Sequence, residues 1–328
     1  FLNTGGTILF LIVLDQGVAG LFYARVIARI VAIAYGLAVT NLHLNRGLDM
    51  DLLRQMLKFG FPLQINYLLS FIYQRIDTFL IGIFLGPTEV AYYEIARRIP
   101  DSLLDGYEAF IQVYYPYVSD LYTGGKKRAL DNLMNTSNRW MMFVIFFGTL
   151  ISFIFGEQII VFIFSEQYMA SAPLLALLMM ALAFIILDSN LGYALVAIGD
   201  SDKPVIINTI RTIFSVGCYL LILPAMGMIG AALANTISLV VVLPLVIYYL
   251  RRREITVQTG TFVKPLVLMT IFLVIWSTLS ITVIWQQVLL IALFIPAGLL
   301  FNVIPIKDVL YVVQQAQPIA RRYLLKMS

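Results

Sequence analysis

Five of the arginines that sit inside stretches otherwise apolar enough to cross a bilayer fall in the first hundred residues. Arg25 and Arg29 lie between Val18 and Thr40, Arg75 between Phe59 and Phe84, and Arg97 and Arg98 between Ala91 and Val118. An ionisable group near the bilayer centre costs at least about 2.5–3.5 kcal/mol on insertion scales, so such groups face a cavity or a partner. Arginine is permanently charged and can fork onto a phosphate through two parallel hydrogen bonds. With a rise of about 1.5 Å per residue, Arg25, Arg75 and Arg97 each lie roughly 12–14 Å inward from the outer end of their helices. Three arginines at one level could ring a water-filled cavity and hold a pyrophosphate headgroup.

Carboxylates accompany them. Arg97, Asp101, Asp105 and Glu108 are spaced 4, 4 and 3 apart, which puts them on one helix face. Glu94 is within one turn of Arg97 and Arg98, Asp77 follows Arg75 closely, and Pro100 is predicted to kink the helix beside this stripe. The stripe reads as one wall of a hydrated vestibule. The plainer alternatives are an Arg97–Asp101 pair that neutralises itself, and Arg98 and Glu108 snorkelling to a surface. Glu157, Asp188 and Arg211 read as helix-end or packing charges.

Other chemistries are poorly supplied. The single cysteine, Cys218, rules out an internal disulfide and a cysteine metal cluster, and the single histidine, His43, leaves no Ser-His-Asp triad or histidine metal site. Asp200-Ser201-Asp202 spells the D-x-D of metal-dependent sugar transferases. The same residues are explained by helix ends, however: Gly199 closes one helix, an Asp or Ser caps the next, and Pro204 sits in its first turn. No catalytic site, metal or cofactor is expected.

The elements that must position these side chains are membrane helices. Of 328 residues, 61% are hydrophobic and 12% charged, with a mean hydropathy of +0.91, against about 25% charged in soluble domains. Apolar windows and breakers define ten candidate spans: 1–14, 18–40, 59–84, 91–118, 140–163, 172–198, 205–224, 229–250, 262–284 and 288–304. The connections alternate. One set is basic, carrying Arg46, Arg54 and Lys58; Lys126, Lys127, Arg128 and Arg139; Lys203; Arg251–Arg253; and, after Pro305, Lys307, Arg321, Arg322 and Lys326. The other set, at 15–17, 85–90, 165–171, 225–228 and 285–287, has no Lys or Arg. Basic short loops face the cytoplasm, so this set and the C-terminus are expected there, in a cell inner membrane. The basic runs read as topology determinants beside anionic headgroups, and no nucleic-acid partner is needed. The chain opens at Phe1 within an apolar run with no charged region before it, as expected for a fragment of a longer protein rather than a signal peptide.

Several stretches carry a family resemblance: Phe59-Gly60-Phe61-Pro62 after a basic linker, Asp77-Thr78-Phe79-Leu80-Ile81-Gly82-Ile83-Phe84-Leu85-Gly86 followed by Ala91 to Ile99, Tyr168 to Leu178 with Ala172-Pro173-Leu174-Leu175, Gly199 to Lys203, and Gly230 to Asn235. In their order and spacing they resemble the polysaccharide transporter, or Wzx-type O-antigen flippase, branch of the multidrug/oligosaccharidyl-lipid/polysaccharide (MOP) exporter superfamily. The resemblance covers about residues 60–250. It implies an all-α polytopic fold with a MATE-like C-lobe and part of an N-lobe. Residues 1–41 would end the N-lobe, 42–58 form a cytoplasmic inter-lobe linker, 59–250 the six-helix C-lobe, 262–304 two extra helices and 305–328 a cytoplasmic tail. The first four or so N-lobe helices would be absent, so this piece alone should not transport.

The resemblance also implies function. The protein would be a transporter, not an enzyme, moving an undecaprenyl-pyrophosphate-linked oligosaccharide from the cytoplasmic to the outer leaflet by alternating access, in O-antigen, capsule or exopolysaccharide biosynthesis. Arg25, Arg29, Arg75, Arg97 and Arg98 become headgroup candidates. Asp77, Glu94, Asp101 and Asp105 become cavity or ion-coupling candidates for H+ or Na+. Partners would be membrane lipids and polysaccharide polymerase machinery. With no ATP-binding loop in the sequence, the drive would be an ion gradient, the membrane potential or downstream consumption of substrate. A drug/cation antiporter of the same superfamily would want a cavity rich in carboxylates and poor in arginine, whereas this stripe reads as mixed and basic. A glycan polymerase or ligase would need a large outer loop, and every outer loop here is short.

Overall fold

The computed structural model describes residues 2–14, 17–39, 49–200 and 202–305. The expectations for His43, Arg46, Ser201 and the tail beyond residue 305 lie outside them. Every regular element among the described residues is helical: α1 (Leu2–Ile8) running into a π-turn (Leu9–Val13), α2 (Gly17–Val39), α3 (Met50–Phe84), α4 (Pro87–Thr123), α5 (Lys127–Ile163), a 3₁₀ turn (Glu166–Ser171), α6 (Ala172–Ala197), α7 (Lys203–Arg252), α8 (Gly260–Thr278) and α9 (Ile284–Leu300). The chain divides into two compact units, Phe1–Phe61 and Pro62–Ser328. In the first, α1 packs on α2 where Gly6 faces Ala24, the latter almost fully buried.

The helices are longer than the apolar windows. α3 begins at Met50 rather than Phe59, and α5 at Lys127 rather than Trp140. Apolarity marks only the part of a helix that sits in hydrocarbon, while the hydrogen-bonded backbone continues through polar residues beyond it. α2, α5, α6, α7 and α8 are long and apolar enough to cross a membrane, and α9 is a shorter apolar helix. Among the described residues α4, expected as a span from its window, does not meet the same standard of length and composition. In α4 the reason is the charged stripe described below. α4 also stays one helix from Pro87 to Thr123 through Pro100 and Pro116.

α7 holds two expected spans in one element. Gly227, at φ 60° and ψ −146°, leaves helical geometry, a conformation that costs glycine little. The chain then folds back: a Cβ on Gly230 would stand 2.6 Å from the Ile222 carbonyl oxygen. Ala231, Ala232 and Ala234 follow, fully buried. Small residues let helices approach closely where lipid offers no hydrophobic drive for association. Gly230→Ala should lower stability by about 1–3 kcal/mol, as overpacking does, because a backbone carbonyl has no rotamer to escape into. Thermal unfolding of the full-length protein in detergent would show the fall, and an unchanged midpoint would contradict the close approach.

The core of the second unit lies among α4, α5, α6 and α7, around Tyr93, Phe146, Leu174 and Tyr219. α8 and α9 are fastened to it through Phe294, fully buried with its ring centre 5.2 Å from Phe143, 5.5 Å from Phe147 and 5.3 Å from Phe272. The link before α8 is pinned to α5: the Thr256 amide donates to Asp131 and the Gln258 amide to Asn135, whose side-chain amide donates back to the Thr256 carbonyl. Exposed Phe162, Ile213 and Leu221 suit a lipid-facing exterior.

Candidate functional site: a charged cavity within the helical bundle

α3 enters the site through Arg75, Asp77 and Thr78. Asp77 is nearly fully buried, with its side chain 3% exposed. A carboxylate so placed needs compensation, and α4 supplies it. Arg97 Nη1 donates to both carboxylate oxygens, at 3.0 and 3.2 Å, and the Tyr93 hydroxyl donates to Oδ2 at 3.1 Å. The Thr78 amide donates to Oδ1 at 2.7 Å. Arg97 also donates from Nε to Asp101 at 3.3 Å, so the intrahelical pair expected from spacing forms. Tyr93, Arg97 and Asp101 succeed one another at intervals of four, which places all three on the α4 face that meets α3.

Glu94 turns elsewhere. It accepts from the Thr78 hydroxyl at 2.8 Å and stands 4.0 Å from Arg75, so its partners are on α3 rather than the Arg97 and Arg98 within one turn of it. Arg75 is half-exposed. Arg98 is exposed and has no carboxylate partner, and Asp105 and Glu108 have no cationic partner, among the described residues.

These side chains line a cavity of about 740 Å³ between α3, α4, α6 and α7. Its far wall carries a second ion pair, Asp188 on α6 with Arg211 on α7, both buried. The sequence reading set these two aside as helix-end or packing charges. They do pack, but they also line the cavity. Their separation of 23 residues gives no one-face pattern, so only the packing of α6 on α7 brings them together. Glu157, by contrast, is exposed near the end of α5, as a helix-end charge should be.

One expectation changes. The stripe reads as mixed and basic, and the cavity wall is indeed mixed but presents four arginines (Arg75, Arg97, Arg98, Arg211) against six carboxylates (Asp77, Glu94, Asp101, Asp105, Glu108, Asp188). Asp188 and Arg211 add one charge of each sign, and the excess of carboxylates is already present on α3 and α4. Among the five headgroup candidates, Arg75, Arg97 and Arg98 share this wall. Arg25 and Arg29 belong to the first unit, on α2, where both are exposed.

Solved structures share this arrangement of helices. The chain matches the lipid II flippase MurJ in an inward closed conformation with a TM-score of 0.71 and 18% identity, over 94% of this chain and 67% of that one. It matches an inward-facing multidrug resistance MATE family transporter of the MOP superfamily with a TM-score of 0.62 and 19% identity, over 78% and 64%. The fold is thus of the MOP transporter type. The particular family follows from sequence: the model of the polysaccharide biosynthesis protein family matches residues 3–173, and the chain belongs to that family. A curated relative from Haloferax volcanii, the probable low-salt glycan biosynthesis flippase Agl15, is 21% identical over 233 residues, which is 70% of this chain and 48% of that protein. The chain therefore spans about half the length of this relative.

Proposed function

We propose that this chain belongs to a flippase that carries a polyprenyl-pyrophosphate-linked oligosaccharide from the cytoplasmic to the outer leaflet by alternating access, with undecaprenyl as the lipid, in O-antigen, capsule or exopolysaccharide assembly. The observation that carries the reading is Arg98, an exposed arginine with no carboxylate partner among the described residues, on the wall of a cavity inside a bundle of membrane helices. Half-exposed Arg75, whose nearest carboxylate oxygen is 4.0 Å away, stands beside it. Together they offer two forks to a diphosphate. Arg97 is spent largely on Asp77 and Asp101, so its first role is to hold α3 against α4 and shape the wall. A coupling cation would meet Asp105 with no arginine to displace, whereas Asp77, Asp101 and Glu94 each have one nearby. Basic loops are assigned to the cytoplasmic face of the cell membrane by their Lys/Arg bias.

A second reading is favoured by a specific observation. The excess of carboxylates over arginines on the cavity wall meets one half of what a drug/cation antiporter wants, a site rich in carboxylates, while its four arginines fail the other half, a site poor in arginine.

The test uses the complete gene, deleted in its host, with the membrane face on which lipid-linked oligosaccharide accumulates as the readout. Cytoplasmic-face accumulation reversed by wild type is expected. Arg98→Ala should insert normally yet restore flipping at about a tenth of the wild-type rate or less, the scale of one lost charge-assisted hydrogen bond of roughly 1.5–3 kcal/mol. Normal outer-face delivery with altered drug resistance would give the antiporter instead, and outer-face build-up of unpolymerised units a polymerase. Full flipping by Arg98→Ala would remove Arg98 from the headgroup site.

A further inference from the structure

Away from the charged cavity, the two ends of α7 meet at one membrane boundary. Lys203, in the first turn, lies with Nζ 5.6 Å from the centre of the Tyr249 ring, and Arg252, in the last turn, with its guanidinium carbon 5.1 Å from the Tyr248 ring. Arg253 forks onto Asp200, Nε donating to Oδ2 at 2.7 Å and Nη2 to Oδ1. That fork holds the Asp200 carboxyl below the usual carboxylate range. It also consumes both carboxylate oxygens, while Lys203 pairs with Asp202 outside the pocket wall. Asp200, Lys203, Tyr249, Arg252 and Arg253 line a cavity of about 270 Å³. Asp200 thus answers Arg253 and Asp202 answers Lys203, and Arg252 has no carboxylate partner among the described residues.

The surface below the pocket says what kind of ligand fits. Lys203, Ile206, Ile210 and Ile213 are spaced 3, 4 and 3 apart, so they form one stripe along α7, and the three isoleucines are exposed. On the returning half of the hairpin, Val241, Tyr248 and Arg252 are spaced 7 and 4 apart and form a second stripe, with Val241 and Tyr248 exposed. Each stripe is apolar toward the membrane and ends in a cation at the pocket. A diacyl lipid with an anionic head has the same order of chemistry, acyl chains below and phosphate above, and aromatic side chains sit at that level.

We propose that this pocket is a binding site for an anionic phospholipid, its phosphate held by Arg252 and Lys203 and its acyl chains lying along the two stripes of α7. The site is separate from the charged cavity and does not depend on what that cavity transports. It also changes the meaning of the Arg251–Arg253 run: Arg251 serves orientation by charge alone, while Arg252 and Arg253 are folded into a pocket.

The test is native mass spectrometry of the full-length protein in neutral detergent, titrated with dioleoylphosphatidylglycerol or dioleoylphosphatidylcholine. Phosphatidylglycerol should be retained in preference. The double variant Lys203→Gln/Arg252→Gln should lower its retention by roughly tenfold or more, since each cation near an anionic surface is worth about 1 kcal/mol. Arg251→Gln removes a charge outside the pocket and should leave retention close to wild type. Equal retention of the two lipids, or an equal loss in Arg251→Gln and Arg252→Gln, would overturn the proposal. Inorganic phosphate added in millimolar excess decides the source: displacement without any preference for phosphatidylglycerol would make the ligand a soluble phosphate and refute the lipid assignment. Circular dichroism of each variant checks that the helices persist.

Discussion

Replacing Arg97 with leucine should unfold or severely weaken the protein rather than merely silence it. The change would leave the Asp77 carboxylate, 3% exposed, with only the Tyr93 hydroxyl and the Thr78 amide and hydroxyl for company. Removing one partner of a buried ion pair costs about 3–5 kcal/mol, because the remaining charge stays desolvated. Thermal unfolding of the full-length protein in detergent should show a large drop for Arg97→Leu and recovery of most of it in Arg97→Leu/Asp77→Leu, since a buried pair replaced by apolar groups is often close to neutral. An Arg97→Leu midpoint equal to wild type would mean that α3 and α4 do not depend on this contact. The consequence for function is direct. Loss of flipping in an Arg97 variant measures the wall of the cavity before it measures headgroup binding, and Arg98, exposed and unpaired with any described carboxylate, is the cleaner probe.

The second large effect is expected at Arg211. Arg211→Met would strand Asp188 between α6 and α7. Asp188 already has one carboxylate oxygen, Oδ1, buried with no protein partner, so Arg211 is its principal compensation. A destabilisation of about 3–5 kcal/mol is again the scale. Asp188→Leu/Arg211→Met should restore the thermal midpoint. The double variant then separates two roles that the pair combines. If flipping returns with stability, the pair is a brace between α6 and α7. If stability returns and flipping does not, charge on that wall is part of transport. Failure of the double variant to recover stability would contradict a simple pairwise brace.

Membrane character and the succession of helices were legible from composition and apolar windows, because hydrocarbon admits only helices and closed barrels and a span leaves a run of about 20 apolar residues. Helix limits were less so. Met50–Lys58 and Lys127–Arg139 are helical yet polar, and nothing in hydropathy distinguishes a helix above the membrane from a loop. The breaks expected at 85–90 and 225–228 do fall where the chain turns, at Gly86 and Gly227, both with a positive φ. Of the residues expected to cap α7, Asp202 stands at the N-cap without a side-chain cap bond and pairs with Lys203, Asp200 reaches Arg253, and Ser201 lies outside the described residues.

By itself, the sequence determined that this is a helical membrane protein and which charges share a face of α4. Both follow from local rules: the free energy of burying apolar or charged groups in lipid, and the 3.6-residue period that sets neighbours three and four apart. Only the tertiary structure decided which charges are available. It gave Arg97 to Asp77 across 20 residues and Arg211 to Asp188 across 23, turned Glu94 away from Arg98 toward α3, and brought Lys203 to Arg252 by folding α7 back at Gly227. Those pairings depend on helix packing, and one helix's period carries no information about the helix it will face.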